Sequence, residues 1–202
     1  MPIKSITTQE ECLVKTLYKK GFSGSEIAEK LQISLKQIYS SLRRQRVSRR
    51  SFSEQRELRF KKEPLSFAFK EVLSVKEREL LVAGLMLYYG EGAKTGYTVD
   101  FANADPVLVK VFLKFLRVIC GIDQKRLRFY LYCFSNQDSK DLIYFWCSHL
   151  GVESGQFTRP HIRSTLNKSK RIMTYGLLHV RYSDKRLLEK ILLLGHEMAS
   201  TL

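Results

Sequence analysis

Apolar positions in the first part of the chain recur at helical spacing in three short runs: Leu13, Val14 and Leu17, then Ile27, Ala28 and Leu31, then Ile38, Tyr39 and Leu42. Each run opens on a Ser or Thr followed three residues later by Glu or Gln. The pairs are Thr8 with Glu11, Ser23 with Glu26 and Ser34 with Gln37, and they predict three capped helices between residues 6 and 46. Gly21 stops the first helix, and Gln32-Ile33-Ser34 makes a tight turn between the other two. Further on, a nearly continuous apolar run from Leu80 to Tyr89 follows the capping pair Ser74 and Glu77. It is shorter than the roughly 20 residues a membrane span needs, so it predicts a helix starting near 75, buried on every side, and ended by Gly90 and Gly92.

From Tyr97 onward the pattern alternates strands with Asp-capped helices. Asp105 precedes a helix over 106–120, Asp138 one over 139–150, and Asp184 one over 185–194, with the three acids as structural N-caps. Between them, period-two alternation points Leu127, Phe129, Leu131 and Cys133 one way and Arg126, Arg128, Tyr130 and Tyr132 the other. The same alternation groups Arg159 with His161 and Arg163, and His179 with Arg181 opposite Leu178, Val180 and Tyr182. One sheet face is therefore expected to be core and the other basic and aromatic. Lys168, Lys170 and Arg171 fall in a polar loop suited to gripping phosphate.

Charge changes the picture most. A formal net charge of +15 over 202 residues predicts a polyanionic partner, with nucleic acid ahead of an acidic membrane surface. Between Arg43 and Lys62, nine Lys or Arg stand against only Glu54 and Glu57, so nearly half the net charge falls in twenty residues. That stretch reads as a recognition-helix extension followed by a linker that tracks phosphates. The four cysteines lack metal-ligand spacing, which argues for free thiols in a reducing, cytoplasmic compartment. The first residues carry no apolar segment of the kind a secretion signal needs.

Residues 6–46 resemble a helix-turn-helix of the resolvase or sigma-factor type, with small Ala28 at the crossing, Ile33 plugging the core, and Gln32 where a glycine is usual. The resemblance implies that the third helix enters the major groove. Lys36, Gln37, Ser40, Arg43 and Arg44 would then face DNA, Gln37 and Arg43 as bidentate base readers, and Arg46, Arg49 and Arg50 would follow the backbone. A three-helix packing module with no ligand is the plain alternative.

Leu80 to Gly92 resembles the LAGLIDADG motif, whose helices pair across a two-fold axis and present an acid from each helix end to metal ions and DNA. In one register Val82-Ala83-Gly84-Leu85 lies on LAGL and Gly90 on the closing glycine, which leaves Leu87 and Tyr89 where the family has acids. In the other, Gly90-Glu91-Gly92 lies on the terminal ADG and makes Glu91 the metal-binding acid. The resemblance covers about residues 74–199 and implies a saddle-shaped sheet backed by helices.

Together these readings predict an α+β chain. A helix-turn-helix domain occupies residues 1–47, a basic linker 48–73, and a LAGLIDADG-like α/β domain with a mostly antiparallel or mixed sheet 74–202. The expected function is sequence-specific double-stranded DNA binding without efficient cleavage. One alternative is a homodimeric, site-specific DNA endonuclease paired through the 80–90 helix. Glu91 would then hold a divalent metal, Mg²⁺ or Mn²⁺, and Lys94 would assist catalysis; a non-nuclease needs no cofactor. The other alternative is an RNA-binding protein.

Overall fold

A computed structural model describes residues 6–164 and 173–201. Its contacts divide the chain into two units, Met1–Pro64 and Leu65–Leu202. In the first, α1 (Thr8–Lys19), α2 (Gly24–Leu31) and α3 (Leu35–Arg44) surround Val14, Leu17, Tyr18, Ile27, Ile33, Ile38 and Leu42. The boxes on Ser23 and Ser34 form as expected. That on α1 sits one residue earlier, with the Thr7 amide donating to Glu10 at 2.8 Å. Thr7-Glu10 and Thr8-Glu11 satisfy the same spacing, and the chain uses the former. Tyr18 is buried beside Val14 and Leu17, whereas Leu13, expected inside, is exposed.

The expected linker over 48–73 is not featureless. After α3 the chain turns back, then Ser51 and Glu54 form another capping box and start α4 (Phe52–Lys62). No α4 residue is buried, which is why an apolar pattern could not reveal it. Leu58 lies against Gly21, and Lys62 Nζ meets Glu26 at 2.8 and 2.9 Å.

The second unit runs α5 (Val75–Glu91), β1 (Val99–Asn103), α6 (Pro106–Val118), β2 (Leu127–Phe134), α7 (Ser139–Leu150), β3 (His161–Arg163), β4 (Leu177–Tyr182) and α8 (Lys185–Thr201). The strands form one mixed sheet in the order β1-β4-β2-β3. β4 is antiparallel to both neighbours, and β2 is parallel to β3. This is an α+β fold. Leu127, Phe129, Leu131, Leu178, Val180, Tyr182, Val99 and Phe101 point into a core closed by the helices, and the opposite sheet face is open. Asp105, Asp138 and Asp184 each accept an amide two residues on, at 2.7 to 3.0 Å, so all three are N-caps. No described helix is long and apolar enough to cross a membrane.

α5 differs from expectation on two counts. It is not buried all round: Leu85 and Tyr88 are inside, while Val75, Val82 and Tyr89 are exposed, with Ala83 and Gly90 open beside them. The helix also runs through Gly90 to Glu91 and stops at Gly92, so Glu91 is its last residue and not one beyond it. Its inner face meets α6 so closely that a Cβ on Gly84 would lie 2.1 Å from Phe115 Cγ, whereas one on Gly90 meets nothing within 4 Å.

Asp184 is fully buried and anchors the start of the unit to α8. It takes the Ser66 hydroxyl at 2.8 Å and the Arg186 guanidinium at 2.9 Å, and the Tyr182 hydroxyl donates to the Ser66 carbonyl. Burial pushes the Asp184 carboxyl up, but the hydrogen bonds from Arg186 and Ser66 hold it below its ordinary value.

Two stability predictions follow from these packing and charge arrangements, both readable in Trp146, the single tryptophan and a buried residue of the second unit. In chemical melts followed by its fluorescence, Gly84→Ala lowers stability by up to about 3 kcal/mol, the cost of overpacking a filled core. Gly90→Ala raises it by about 0.5–1 kcal/mol through helix propensity. The Asp184 contribution is whole above the unfolded carboxylate range near pH 4 and is lost as pH falls through the depressed folded value. Asp184→Asn therefore flattens the acid limb of the stability curve, and an unchanged acid limb refutes the assignment.

Candidate nucleic-acid interface

In the first unit the third helix is set by its ends. Gln32 adopts a left-handed conformation at φ 54°, Ile33 is buried, and the Ser34 cap starts α3. Ile38, Ser41 and Leu42 point inward, which leaves Lys36, Ser40 and Arg43 outward one turn apart. Past the helix the chain doubles back: Arg46 is left-handed at φ 54°, Val47 N donates to Leu42 O at 2.9 Å, and the Arg49 guanidinium lies 4.3 Å from the Tyr39 ring centre. Lys36, Tyr39, Ser40, Arg43, Arg46 and Arg49 thereby line one open groove of about 940 Å³ whose walls include no acid.

Three side chains expected on DNA are engaged inside the unit. The Gln37 carbonyl oxygen takes the Ser34 hydroxyl at 2.7 Å and the Ser34 amide at 3.2 Å, since a cap residue that closes its own box cannot offer that oxygen to an adenine. Arg44 pairs with Glu11 of α1. Arg50 donates to the carbonyls of Tyr18 and Phe22 and lies 3.9 Å from the Tyr18 ring centre, so it pins the returning chain. α3 is not extended into the basic stretch, because Arg46 breaks it.

In the second unit the open sheet face carries the expected aromatic and basic rows. Across β1, β4 and β2, Asp100 lies opposite Arg181 and Arg181 opposite Arg128; Ala102, His179 and Tyr130 form the next row; Leu177, Tyr132 and His161 form the third. The Tyr132 ring sits 4.8 Å from His161, 5.1 Å from His179 and 5.0 Å from Tyr130. Arg163 continues the face opposite Phe134. Arg126 is not on the strand; it lies in a short 3₁₀ turn and donates to Ser183 O at 2.8 Å. Arg159 is exposed just before β3, which spans only three residues. Lys168, Lys170 and Arg171 lie outside the described residues.

Asp100 is the residue the sequence reading missed. One carboxylate oxygen accepts Arg181 Nε at 2.7 Å, and the other meets His179 Nδ1 at 2.8 Å. Burial raises its carboxyl, but hydrogen bonds from His179 and Arg181 more than offset that and leave it lowered. Its signal was an Asp at a strand position flanked by Val99 and Phe101, both inward.

Glu91 is exposed at the end of α5. Lys94 Nζ donates to the carbonyls of Tyr88, at 2.9 Å, and Gly92, so it closes the helix terminus where the dipole is negative. Among the described residues no group of three His, Cys, Asp or Glu side chains comes together to hold a metal ion. A lone exposed carboxylate does not provide the donor set that a dehydrated divalent ion needs.

Arg46 carries a strained backbone for its side chain. Arg46→Gly removes a left-handed penalty of about 1–2 kcal/mol, so hydrogen exchange of the α1–α3 amides slows. Arg50→Ala does the reverse and speeds that exchange by an amount corresponding to about 2 kcal/mol. Equal effects of the two substitutions on exchange would contradict this division of roles. No protein-family model matches the chain, and neither a curated protein nor a solved structure matches it.

Proposed function

We propose that the protein binds double-stranded DNA sequence-specifically, reading through α3 and gripping with a LAGLIDADG-like sheet, without efficient cleavage. The observation that carries this reading is the acid-free groove along α3, where Lys36, Arg43, Arg46 and Arg49 stand around Ser40 on one surface. Cations in that density suit phosphates on either side of a groove, and Ser40 and Arg43 sit where base edges would be met. The open sheet face adds a second surface on which Arg128 and Arg163 are basic and Arg181 is balanced by Asp100.

A homodimer paired along α5 fits the same reading. Val75, Val82 and Tyr89 recur every seven residues on the outward side, and Ala83 and Gly90 leave room for a second backbone. The four free thiols fit a reducing cytoplasm.

The test is selection of bound sequences from random duplexes, followed by a salt titration on the recovered site. A palindromic site is expected. Replacing Lys36, Arg43, Arg46 and Arg49 with Gln reduces the log–log salt slope by about 3–4. Structured RNA that competes as well as duplex DNA at equal salt refutes the reading. Plasmid nicking with Mg²⁺ or Mn²⁺ that Glu91→Gln abolishes would replace binding alone with an endonuclease.

A further inference from the structure

An acid on a surface built to meet phosphates is a liability unless it serves something beside it. Asp100 sits on the open sheet face with both carboxylate oxygens engaged, one by Arg181 and one by His179. Its side chain is 16% exposed, against 46% for Arg181. The Nε and Nη2 of Arg181 both lie 2.7 Å from the same Asp100 oxygen, and its guanidinium lies 5.5 Å from the Tyr130 ring centre. Acid and ring thus brace the guanidinium, and its end edge meets no other hydrogen-bond partner among the described residues.

The other arginines of this face are held differently. Arg128 turns Nη1 back onto the carbonyls of Lys125 and Leu127, at 2.7 and 2.8 Å, and Arg163 lies on the three-residue edge strand. An arginine whose charge is balanced by a neighbouring carboxylate is a poor phosphate ligand, because the pair repels and attracts a phosphate almost equally. The same arginine is a good directional donor, because its rotamer freedom is already restricted before binding. Its planar fork matches two neutral acceptors side by side, and in the major groove only guanine presents that pair, N7 and O6.

We propose that Arg181 is the guanine-reading side chain of the open sheet face and that Asp100 is its positioning residue. This rests on the duplex-DNA reading above and assigns one base contact within it. Tyr130 limits the swing of the guanidinium from the side, and His179 takes the second carboxylate oxygen, so Asp100 has one stable orientation.

The test uses the full chain on its selected duplex, with each guanine replaced in turn by adenine or by 7-deazaguanine, which lacks the N7 acceptor. Wild type loses roughly 5- to 150-fold in affinity at one guanine per half-site. Arg181→Lys, which keeps the charge, binds that site and its substituted forms alike, with non-specific affinity and salt slope retained. Asp100→Asn loses part of the discrimination at the same guanine only. If Arg181→Lys and Asp100→Asn shift the Trp146 melt but leave preference at every position as in wild type, the pair is a structural cross-strand bridge and the assignment is wrong. Duplex binding with a normal salt slope but no Arg181-dependent guanine overturns this assignment alone. No duplex binding at any salt overturns the DNA reading together with it.

Discussion

The second unit depends on the Tyr88 side chain. Its ring is fully buried against Phe112, and its hydroxyl donates to Ala93 O at 2.7 Å while accepting the Asp100 amide at 3.3 Å. Burial pushes the phenol up to about 12, so it stays a donor across ordinary pH. One side chain thereby ties the end of α5, the short link after it and β1 into one body. Every candidate group near that end inherits its place from this tie: Glu91 on the last helical residue, Lys94 across the terminal carbonyls, and Asp100 beneath Arg181. The link itself offers only a bridge from Gly92 to Phe101 and the hydrogen bond from Ala93 to Asp100. The Tyr88 hydroxyl supports what these few backbone contacts leave weak.

A strongly basic protein must also decide where its acids go. Glu10, Glu54 and Glu77 close capping boxes, and Glu26 closes one while meeting Lys62. The hydrogen bond from Lys62, with those from Ser23, draws the Glu26 carboxyl down to about 2. Asp105, Asp138 and Asp184 cap helices, and Asp100 is covered by Arg181 and His179. Acids engaged with local amides and cations leave the groove along α3 unopposed. Such local neutralisation lets the chain fold despite its surplus charge and leaves a positive field around the remaining cations.

The sequence disclosed what local rules control. Serine, threonine and aspartate caps placed seven helix starts with the right residue or within one of it, and period-two alternation sorted β2 and β4 into faces. It failed where tertiary partners decide. Arg44 and Arg50 look like Arg43 and Arg49 in the sequence, and only the nearness of Glu11 and of the Tyr18 and Phe22 carbonyls separates them. α4 was hidden because its contacts are a leucine on a glycine and an ion pair, neither of which is periodic. Asp100 was hidden because its partners lie 79 and 81 residues away. Gln37 could have been read correctly from sequence, since a residue already assigned to a capping box cannot also offer that oxygen to a base.

α5 packs on α6 and α8 and leaves the rest of its surface exposed, so its apolar composition is not matched by burial all round. Gly84 faces α6, where Phe115 fills the space a side chain would need. Ala83 and Gly90 face outward, and among the described residues nothing beyond the helix's own adjacent backbone lies within 4 Å of where a Gly90 Cβ would be. Glu79 lies on the outward side between Val75 and Val82, so an apolar seam is continuous only from Val82 to Gly90. In the proposed pairing two helices would meet along that short seam and bring two Glu91 carboxylates toward each other at its end. Like charges there oppose association, so pairing strength depends on what balances them: Lys94 at each helix terminus, or an added cation. In that pairing the seam and Glu91 would form one linked equilibrium: whatever neutralised the acids would tighten the pair, and whatever separated the helices would weaken cation binding.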